Sequence, residues 1–324
     1  MDEFNNKPQI EEPDNKETDE DYNNLTGDHK IKPKISPIGA AFIGLFGVFV
    51  LYQLGGGFLT LIIFGLDLKN APVNGMRLLT MAGQILFILL PALVFAKMFY
   101  EDVTEIIRFK FPKWEEILLF IIGVVIFIPL SQYYLSIQNY LIELWAASSP
   151  FINTAKSFLD KVDAAVGETY GNLLSAHTAL GILLVILVVS VVPAICEEVL
   201  FRGFIQRSFE FKIKPVWAAF ITAIFFGMFH LYPLELIPLI ALGFFLGYAA
   251  YKSKSIFVPM SLHFFNNFVA IIIYFIYVND DVINSSVDKN FKLGPAVIIL
   301  FVLVLLFAGV VYAINKYYSS REKV

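Results

Sequence analysis

Eight long stretches without a single Asp, Glu, Lys or Arg constrain this chain more than any other feature. They cover residues 35–66, 78–96, 117–142, 169–196, 215–234, 236–251, 255–279 and 293–315. A helix needs about 20 mainly apolar residues to cross a bilayer, and continuous apolar runs exclude the alternating strands of a barrel. The predicted fold is therefore all-α: a polytopic membrane bundle of about eight transmembrane helices.

The composition agrees with a membrane protein. Hydrophobic residues make up 57% of the 324 residues and charged residues 16%, whereas an average soluble domain has about 45–50% and about 25%. So little charge cannot cover a solvated surface, which excludes a soluble enzyme, a disordered protein and a nucleic-acid partner. The predicted environment is a lipid bilayer, crossed several times. This would be the plasma membrane if the source is bacterial.

Lys and Arg near the ends of the apolar runs predict the orientation. With the N-terminus in the cytoplasm, 16 of these cations lie on the cytoplasmic side and 6 on the other. Cytoplasmic loops carry an excess of Lys and Arg, so both termini are predicted to be cytoplasmic. The largest exterior loop has apolar residues at helical spacing, which fits an interfacial amphipathic helix or a plain solvated connector. These apolar residues are Phe151, Ala155, Phe158, Leu159 and Val162.

Two adjacent carboxylates, Glu197 and Glu198, follow one of the most apolar stretches of the chain. On a helix, Glu198 and Arg202 are i,i+4 neighbours and can form an ion pair. Glu197 points about 100° away and has no cation nearby on the helix. An unpaired carboxylate in an apolar site suits a general base. The spacing therefore predicts Glu198 and Arg202 as an orienting pair and Glu197 as the proton acceptor.

Two of the four histidines, His230 and His263, lie inside apolar helices next to other polar groups. His230 is near the end of the fifth run, and Phe226 lies one turn behind it on the same face. His263 and Asn267 are i,i+4 neighbours in the seventh run, with Asn266 as a weaker alternative to Asn267. A neutral histidine beside an asparagine supplies two donors aimed at one point. Such donors would serve an oxyanion or hold a water molecule.

Each of these clusters alone also has a structural explanation. A membrane histidine often forms a hydrogen bond between helices, and the two glutamates with their arginine are compatible with a buried ion pair. Together, however, the polar groups within residues 197–267 include a base, a relay and oxyanion donors. These are the parts of a hydrolase.

The order of the three motifs resembles the CPBP family, the CAAX proteases and bacteriocin-processing enzymes. The family pattern EExxxR, FxxxH and HxxxN reads here as residues 197–202, 226–230 and 263–267. The resemblance covers residues 180–275 approximately. It implies an all-helical intramembrane endopeptidase, either glutamate-dependent or metal-dependent, that acts on a peptide or a membrane-associated protein.

The resemblance also implies roles for the motif residues. Glu197 activates water and His230 assists it, while His263 and Asn267 stabilise the tetrahedral oxyanion. Glu198 is a second acid/base or ligand candidate. The orienting residues are Arg202 and Phe226.

A metal is an open question at this stage. Zinc or another divalent metal accepts histidine nitrogen and carboxylate oxygen, and the candidate ligands are Glu197, His230 and His263. No HExxH motif places two histidines on one helix face, so the residue types favour a metal-free glutamate mechanism.

Depth in the membrane sets a geometric condition for this site. If the fourth helix ended at residue 196, Glu197 and His230 would lie at opposite faces, about 30 Å apart. We therefore predict that the fourth helix continues to residue 209 approximately, with Pro193 as a place to kink, and that the fifth helix is offset or short. A polar cavity between the fourth, fifth and seventh spans is expected to open to the cytoplasm.

Two other functions remain open. A non-catalytic peptide-binding or bacteriocin-immunity membrane protein would keep the bundle without needing a titrating Glu197. A proton-coupled transporter would use a carboxylate and a path to both faces, and the absence of an internal sequence repeat disfavours it.

The predicted regions are a disordered acidic cytoplasmic tail at 1–34, transmembrane helices with the exterior loop at 35–178, the catalytic core at 179–279 and the C-terminal helix and tail at 280–324.

Overall fold

The computed structural model is all-helical over the part of the chain that it describes. The described residues are 31, 33–66, 71–277 and 291–321, without the side chains of Thr169 and Tyr277. No strand occurs among them, apart from an isolated bridge between Pro33 and Tyr100. The all-α prediction is confirmed. The predicted disordered tail at 1–34 lies almost wholly outside the described residues.

Seven of the described helices are long and apolar enough to cross a membrane, and an eighth apolar helix is shorter. The helices are α1 Pro37–Phe64, α2 Val73–Phe99, α3 Trp114–Ser148, α4 Pro150–Leu174, α5 Ala179–Glu210, α6 Pro215–Phe229, α7 Leu236–Ser253, α8 Phe257–Tyr277 and α9 Leu293–Arg321, with a helical turn at Val103–Ile106 between α2 and α3. By length, seven of the eight predicted spans can cross. The exception is α6 with 15 residues. The orientation and the four predicted regions stay predictions.

Helix α5 carries the paired glutamates and runs for 32 residues, from Ala179 to Glu210. Thr178 caps the start of α5, because the Thr178 hydroxyl accepts a hydrogen bond from the backbone amide of Gly181. Pro193 has no amide to donate, and the helix widens into a π-helical turn just before it, at Leu187–Val191. The helix therefore passes through the proline, and the predicted continuation beyond residue 196 is confirmed.

The short α6 brings His230 to the depth of Glu197. Helices α5 and α6 pack against each other and are joined by a tight turn after Glu210. The stretch from Glu197 to Glu210 is about 20 Å long, and α6 is about 22 Å long, at 1.5 Å per residue. Because α5 ends and α6 begins at this turn, the side chains of Glu197 and His230 lie at similar distances from it. The prediction that the fifth apolar run forms a short helix, here α6, is confirmed.

Two apolar clusters hold the bundle together. The first joins α1, α2, α5 and α6 and includes Leu45 and Phe204. The second joins α3, α7, α8 and α9 and includes Phe120, Phe245 and Ile314. Every residue from Glu198 to Glu210 is buried, so this half of α5 is enclosed by protein rather than lipid. Such enclosure lets polar side chains of α5 find partners inside the bundle.

Helix α4 occupies the predicted exterior loop. Arg77 of α2, which is 2% exposed, donates to the carbonyls of Leu173 and Ser175 at the end of α4. These bonds satisfy carbonyls that a helix end leaves open, and they tie α4 to α2. Phe151 and Phe158 are 82% and 66% exposed and face away from the protein. The loop is thus helical, while its placement at a membrane interface stays a prediction.

Candidate active site

Glu198 is held from two sides at the centre of the bundle. Its Oε1 accepts a hydrogen bond from Nη1 of Arg202 at 2.9 Å and another from Nδ1 of His263 at 2.8 Å. The side chains of Glu198 and Arg202 are completely buried, and that of His263 is 3% exposed. A buried charge is tolerated when it is paired and hydrogen-bonded in this way. The predicted pair of Glu198 and Arg202 is confirmed, and His263 joins it.

The contact with Glu198 determines which nitrogen of His263 carries a proton. An ionised carboxylate only accepts hydrogen bonds, so Nδ1 of His263 is the protonated atom. In the neutral ring, Nε2 then has a lone pair and no hydrogen. His263 can therefore donate to an oxyanion through Nε2 only when its ring is doubly protonated.

His230 is oriented by its own helix. Its Nδ1 lies 2.7 Å from the carbonyl oxygen of Phe226, and a carbonyl only accepts, so Nδ1 carries the proton. The lone pair of Nε2 is left pointing at Glu197, whose Oε2 is 3.9 Å away. That separation is too long for a direct hydrogen bond but suits a bridging water.

Glu197 differs from its neighbour in being partly exposed. Among the described residues, Oε2 of Glu197 and Oε2 of Glu198 are both buried and have no hydrogen-bond partner. The side chains of Glu197 and His230 are nonetheless 17% and 22% exposed, in contrast to the sealed Glu198. A buried acceptor without a partner calls for an explanation, and a water molecule between Glu197 and His230 supplies one.

Phe226 packs against both histidines. Its ring centroid lies 4.5 Å from that of His230 and 5.9 Å from that of His263. The guanidinium carbon of Arg202 lies 4.3 Å from the same centroid, within cation–π range. The predicted proximity of Phe226 to His230 is confirmed. This one ring connects the Glu197–His230 side of the site with the Glu198–His263 side.

Asn267 is engaged with α5. Its Nδ2 donates to the carbonyl of Val189 at 2.8 Å, and its Oδ1 accepts from Asn266 at 3.2 Å. In an α-helix the Val189 carbonyl would be paired with the amide of residue 193, which is proline and has none. Asn267 thus serves a carbonyl affected by Pro193. The second hydrogen of its amide is the one left for the predicted oxyanion role.

Replacing Asn267 with Leu is expected to lower the free energy of unfolding by about 1 kcal/mol, because the partly buried Val189 carbonyl loses its donor. Pro193→Ala restores a backbone amide at that point of α5, so the penalty of Asn267→Leu should shrink in that background. A double-mutant cycle of thermal unfolding in detergent measures the difference. Strictly additive effects would show that Pro193 is not the reason for this bond.

Sequence reasoning did not select Tyr52, Gln84 or Tyr170. Tyr52 of α1 and Tyr170 of α4 are within electrostatic reach of Glu197, and Tyr52 lies beside Gln84 of α2. π-helical turns lie at Leu51–Gly55 and Ile85–Leu89, beside Tyr52 and Gln84, and such turns are frequent at functional sites. The available signal was a glutamine in the middle of the second apolar run.

A cavity of about 310 Å³ lies between α3, α7 and α8. Asn266 reaches its wall, whereas Glu197, His230 and His263 do not line it. The predicted polar opening between α5, α6 and α8 toward the cytoplasm stays a prediction.

The candidate metal ligands do not form a metal site. Within the described ranges, no three His, Cys, Asp or Glu side chains are grouped closely enough to hold an ion. His263 is drawn to Glu198 by its Nδ1, and Glu198 is occupied by Arg202 as well. The prediction of a metalloendopeptidase with Glu197, His230 and His263 as ligands is therefore not supported by the arrangement of these side chains.

The fold and the site together define a membrane-embedded helical bundle with a buried glutamate–histidine centre. Residues 179–269, from the start of α5 into α8, match the family described as Type II CAAX prenyl endopeptidase Rce1-like. This range contains all three motifs and confirms the resemblance to CPBP family intramembrane proteases. The chain is thus an integral multi-pass membrane protein, and its residues 179–269 are similar to the CAAX-protease family. No curated protein and no solved structure matches it.

Proposed function

We propose that the protein is an intramembrane endopeptidase that hydrolyses a peptide bond in a membrane-associated peptide or protein. The observation that carries the proposal is the 3.9 Å gap between Oε2 of Glu197 and Nε2 of His230, two acceptors that face each other without another partner in the described part of the chain. A water molecule in that gap can donate one hydrogen to each. Its oxygen is then free to attack a carbonyl carbon.

In the proposed reaction, Glu197 removes a proton from this water as the oxygen attacks the scissile carbonyl carbon. His230 orients the same water through Nε2, and its ring is kept in place by the bond to the Phe226 carbonyl. The tetrahedral intermediate carries its negative charge on the former carbonyl oxygen. The proton taken by Glu197 then passes to the leaving nitrogen, the C–N bond breaks, and the carboxylate is regenerated.

The oxyanion is assigned to His263 and Asn267 in this proposal. A doubly protonated His263 has an Nε2–H to donate, and buried Glu198 supplies the negative charge that compensates it. Asn267 contributes the hydrogen of its amide that is not used on Val189. Arg202 orients Glu198, and Phe226 separates the two histidine rings.

The proposal is tested by hydrolysis in H₂¹⁸O. The full chain is reconstituted in liposomes with synthetic membrane-anchored peptides, and mass spectrometry follows the new C-terminal carboxyl groups. Wild type should incorporate ¹⁸O, and His230→Ala should be slower by about 10²–10⁴-fold, because a positioned proton-transfer group is lost. The matched control is His177→Ala, since His177 is exposed and outside the motifs.

Two results would contradict the proposal. If no labelled peptide forms with any anchored probe, a non-catalytic role in peptide binding or immunity becomes the better account. If His230→Ala is as active as His177→Ala, the gap between His230 and Glu197 is not the catalytic centre. The same hydrolysis assay is also run in the presence of a metal chelator. Its expected result is no loss of activity, and a loss reversed by added zinc would favour the metal-dependent mechanism.

A further inference from the structure

Gly243 of α7 lies where the two halves of the site meet. Its carbonyl accepts a hydrogen bond from Nη2 of Arg202 at 3.1 Å. A Cβ added to Gly243 would lie 2.9 Å from Cδ1 of Phe226 and 3.3 Å from both Cα and Cβ of Ala223. The first distance is shorter than packed carbon atoms tolerate, so any side chain here would force the Phe226 ring to move.

Phe226 has no free space into which it could move. Its residue is 1% exposed, and its ring contacts His230, His263 and Arg202. The ring also packs edge-on against Phe201, so a shift of Phe226 disturbs packed neighbours that include the two histidines and Arg202. The main chain of Gly243 adds a second effect, because its carbonyl orients the guanidinium that holds Glu198.

Gly247, one turn further along α7, provides an internal comparison. Its carbonyl accepts from Nε2 of Gln206 at 2.9 Å, and an added Cβ would lie 2.6 Å from Oε1 of Gln206 and 3.0 Å from Cβ of Ala219. The crowding is at least as severe as at Gly243. Gln206 leads away from the site, however, because its amide also donates to Glu210 at the end of α5.

We propose that Gly243 is a positioning residue for the hydrolytic site. The absence of a side chain at Gly243 leaves space for the Phe226 ring, and its carbonyl accepts a hydrogen bond from Arg202. The inference rests on the proposed function. Gly247 has the same packing role between α6 and α7 but no link to the histidines. The two glycines therefore separate a requirement for close helix packing from a requirement for site geometry.

Gly243→Ala is expected to lower kcat by about 10-fold to 10²-fold, because a displacement of about 1 Å at a reacting centre can cost 10²-fold. KM should stay close to the wild-type value, since Gly243 is behind the site and not on a substrate surface. Gly247→Ala should lower the melting temperature to a similar degree and keep the wild-type kcat.

The comparison uses full chains in liposomes and a quenched fluorescent form of an anchored peptide that wild type cleaves. A readout without substrate is the rate at which diethyl pyrocarbonate modifies His230, resolved by mass spectrometry. This rate should change in Gly243→Ala, because His230 packs on Phe226, and not in Gly247→Ala. Equal kcat values and equal modification rates for the two variants would overturn the positioning role.

Two further variants keep the test decisive. If Gly243→Ala does not fold, Ala223→Gly/Gly243→Ala removes the contact with Cβ of residue 223 and retains the collision with Phe226, so the same loss of kcat is expected. Glu197→Gln separates this inference from the proposed function. Full activity of Glu197→Gln would refute the hydrolytic site itself, whereas inactive Glu197→Gln with fully active Gly243→Ala would refute only the role of Gly243.

Discussion

Replacing Glu197 with Gln is expected to reduce kcat for peptide hydrolysis by about 10²–10⁴-fold, because an amide cannot take the proton of the attacking water. KM should change little, since the two side chains have the same shape. The melting temperature should hardly fall, because Oε2 of Glu197 has no partner to lose among the described residues. Initial rates with a fluorescent anchored peptide and thermal unfolding of the same preparations measure both effects.

A matched control for this experiment is Glu143→Gln. Glu143 is 51% exposed and pairs with Lys156 at 3.0 Å, far along α3 and outside the motifs. Its replacement removes the same charge without touching the site, so kcat should remain at the wild-type level. Comparable rates for the two variants would mean that Glu197 is not the base, whatever the fold of the chain.

Arg202→Met is expected to lower the free energy of unfolding by about 3–5 kcal/mol, the largest stability effect that we predict. The substitution leaves Glu198 completely buried with a charge and only His263 beside it. The double variant Glu198→Gln/Arg202→Met removes that charge and should recover part of the loss. Unfolding in mixed micelles, followed by tryptophan fluorescence or by a cysteine-reactive dye at Cys196, provides the free energies.

An exposed ion pair provides a comparison for the buried Arg202. Lys156 contacts Asp160 at 2.7 Å, and Asp160 is 47% exposed. Lys156→Met should cost about 0–1 kcal/mol, because water screens and replaces the lost partner. If Arg202→Met were as mild, or if the double variant were less stable than Arg202→Met, Glu198 would not depend on Arg202 for its charge.

Contacts within one helix were predictable from the sequence. The i,i+4 spacing of Glu198 and Arg202 anticipated their ion pair, and Phe226 was anticipated beside His230, because both contacts are made within one helix. The long α5 and the short α6 were also predictable, since their relative depth depends only on the rise per residue.

Contacts between helices were less predictable. The bond from His263 to Glu198 spans 65 positions in the chain, and neither residue carries a local signal for the other. Asn267 was assigned to the oxyanion from spacing alone, whereas the structure shows its amide on the Val189 carbonyl near Pro193. The tyrosines near Glu197 belong to α1 and α4, which share no motif with α5.

Local composition by itself determined that this chain is a helical membrane protein, where its helices run and which glutamate has a cation one turn away. These properties follow from the hydrocarbon thickness and the helical repeat, which act on neighbouring residues. Only the tertiary structure decided that His263 forms a hydrogen bond with Glu198, that Glu197 faces His230 across a gap of 3.9 Å and that Phe226 packs directly on Gly243. Those distances depend on how separate helices cross, and crossing is settled by packing small and large side chains over many residues at once.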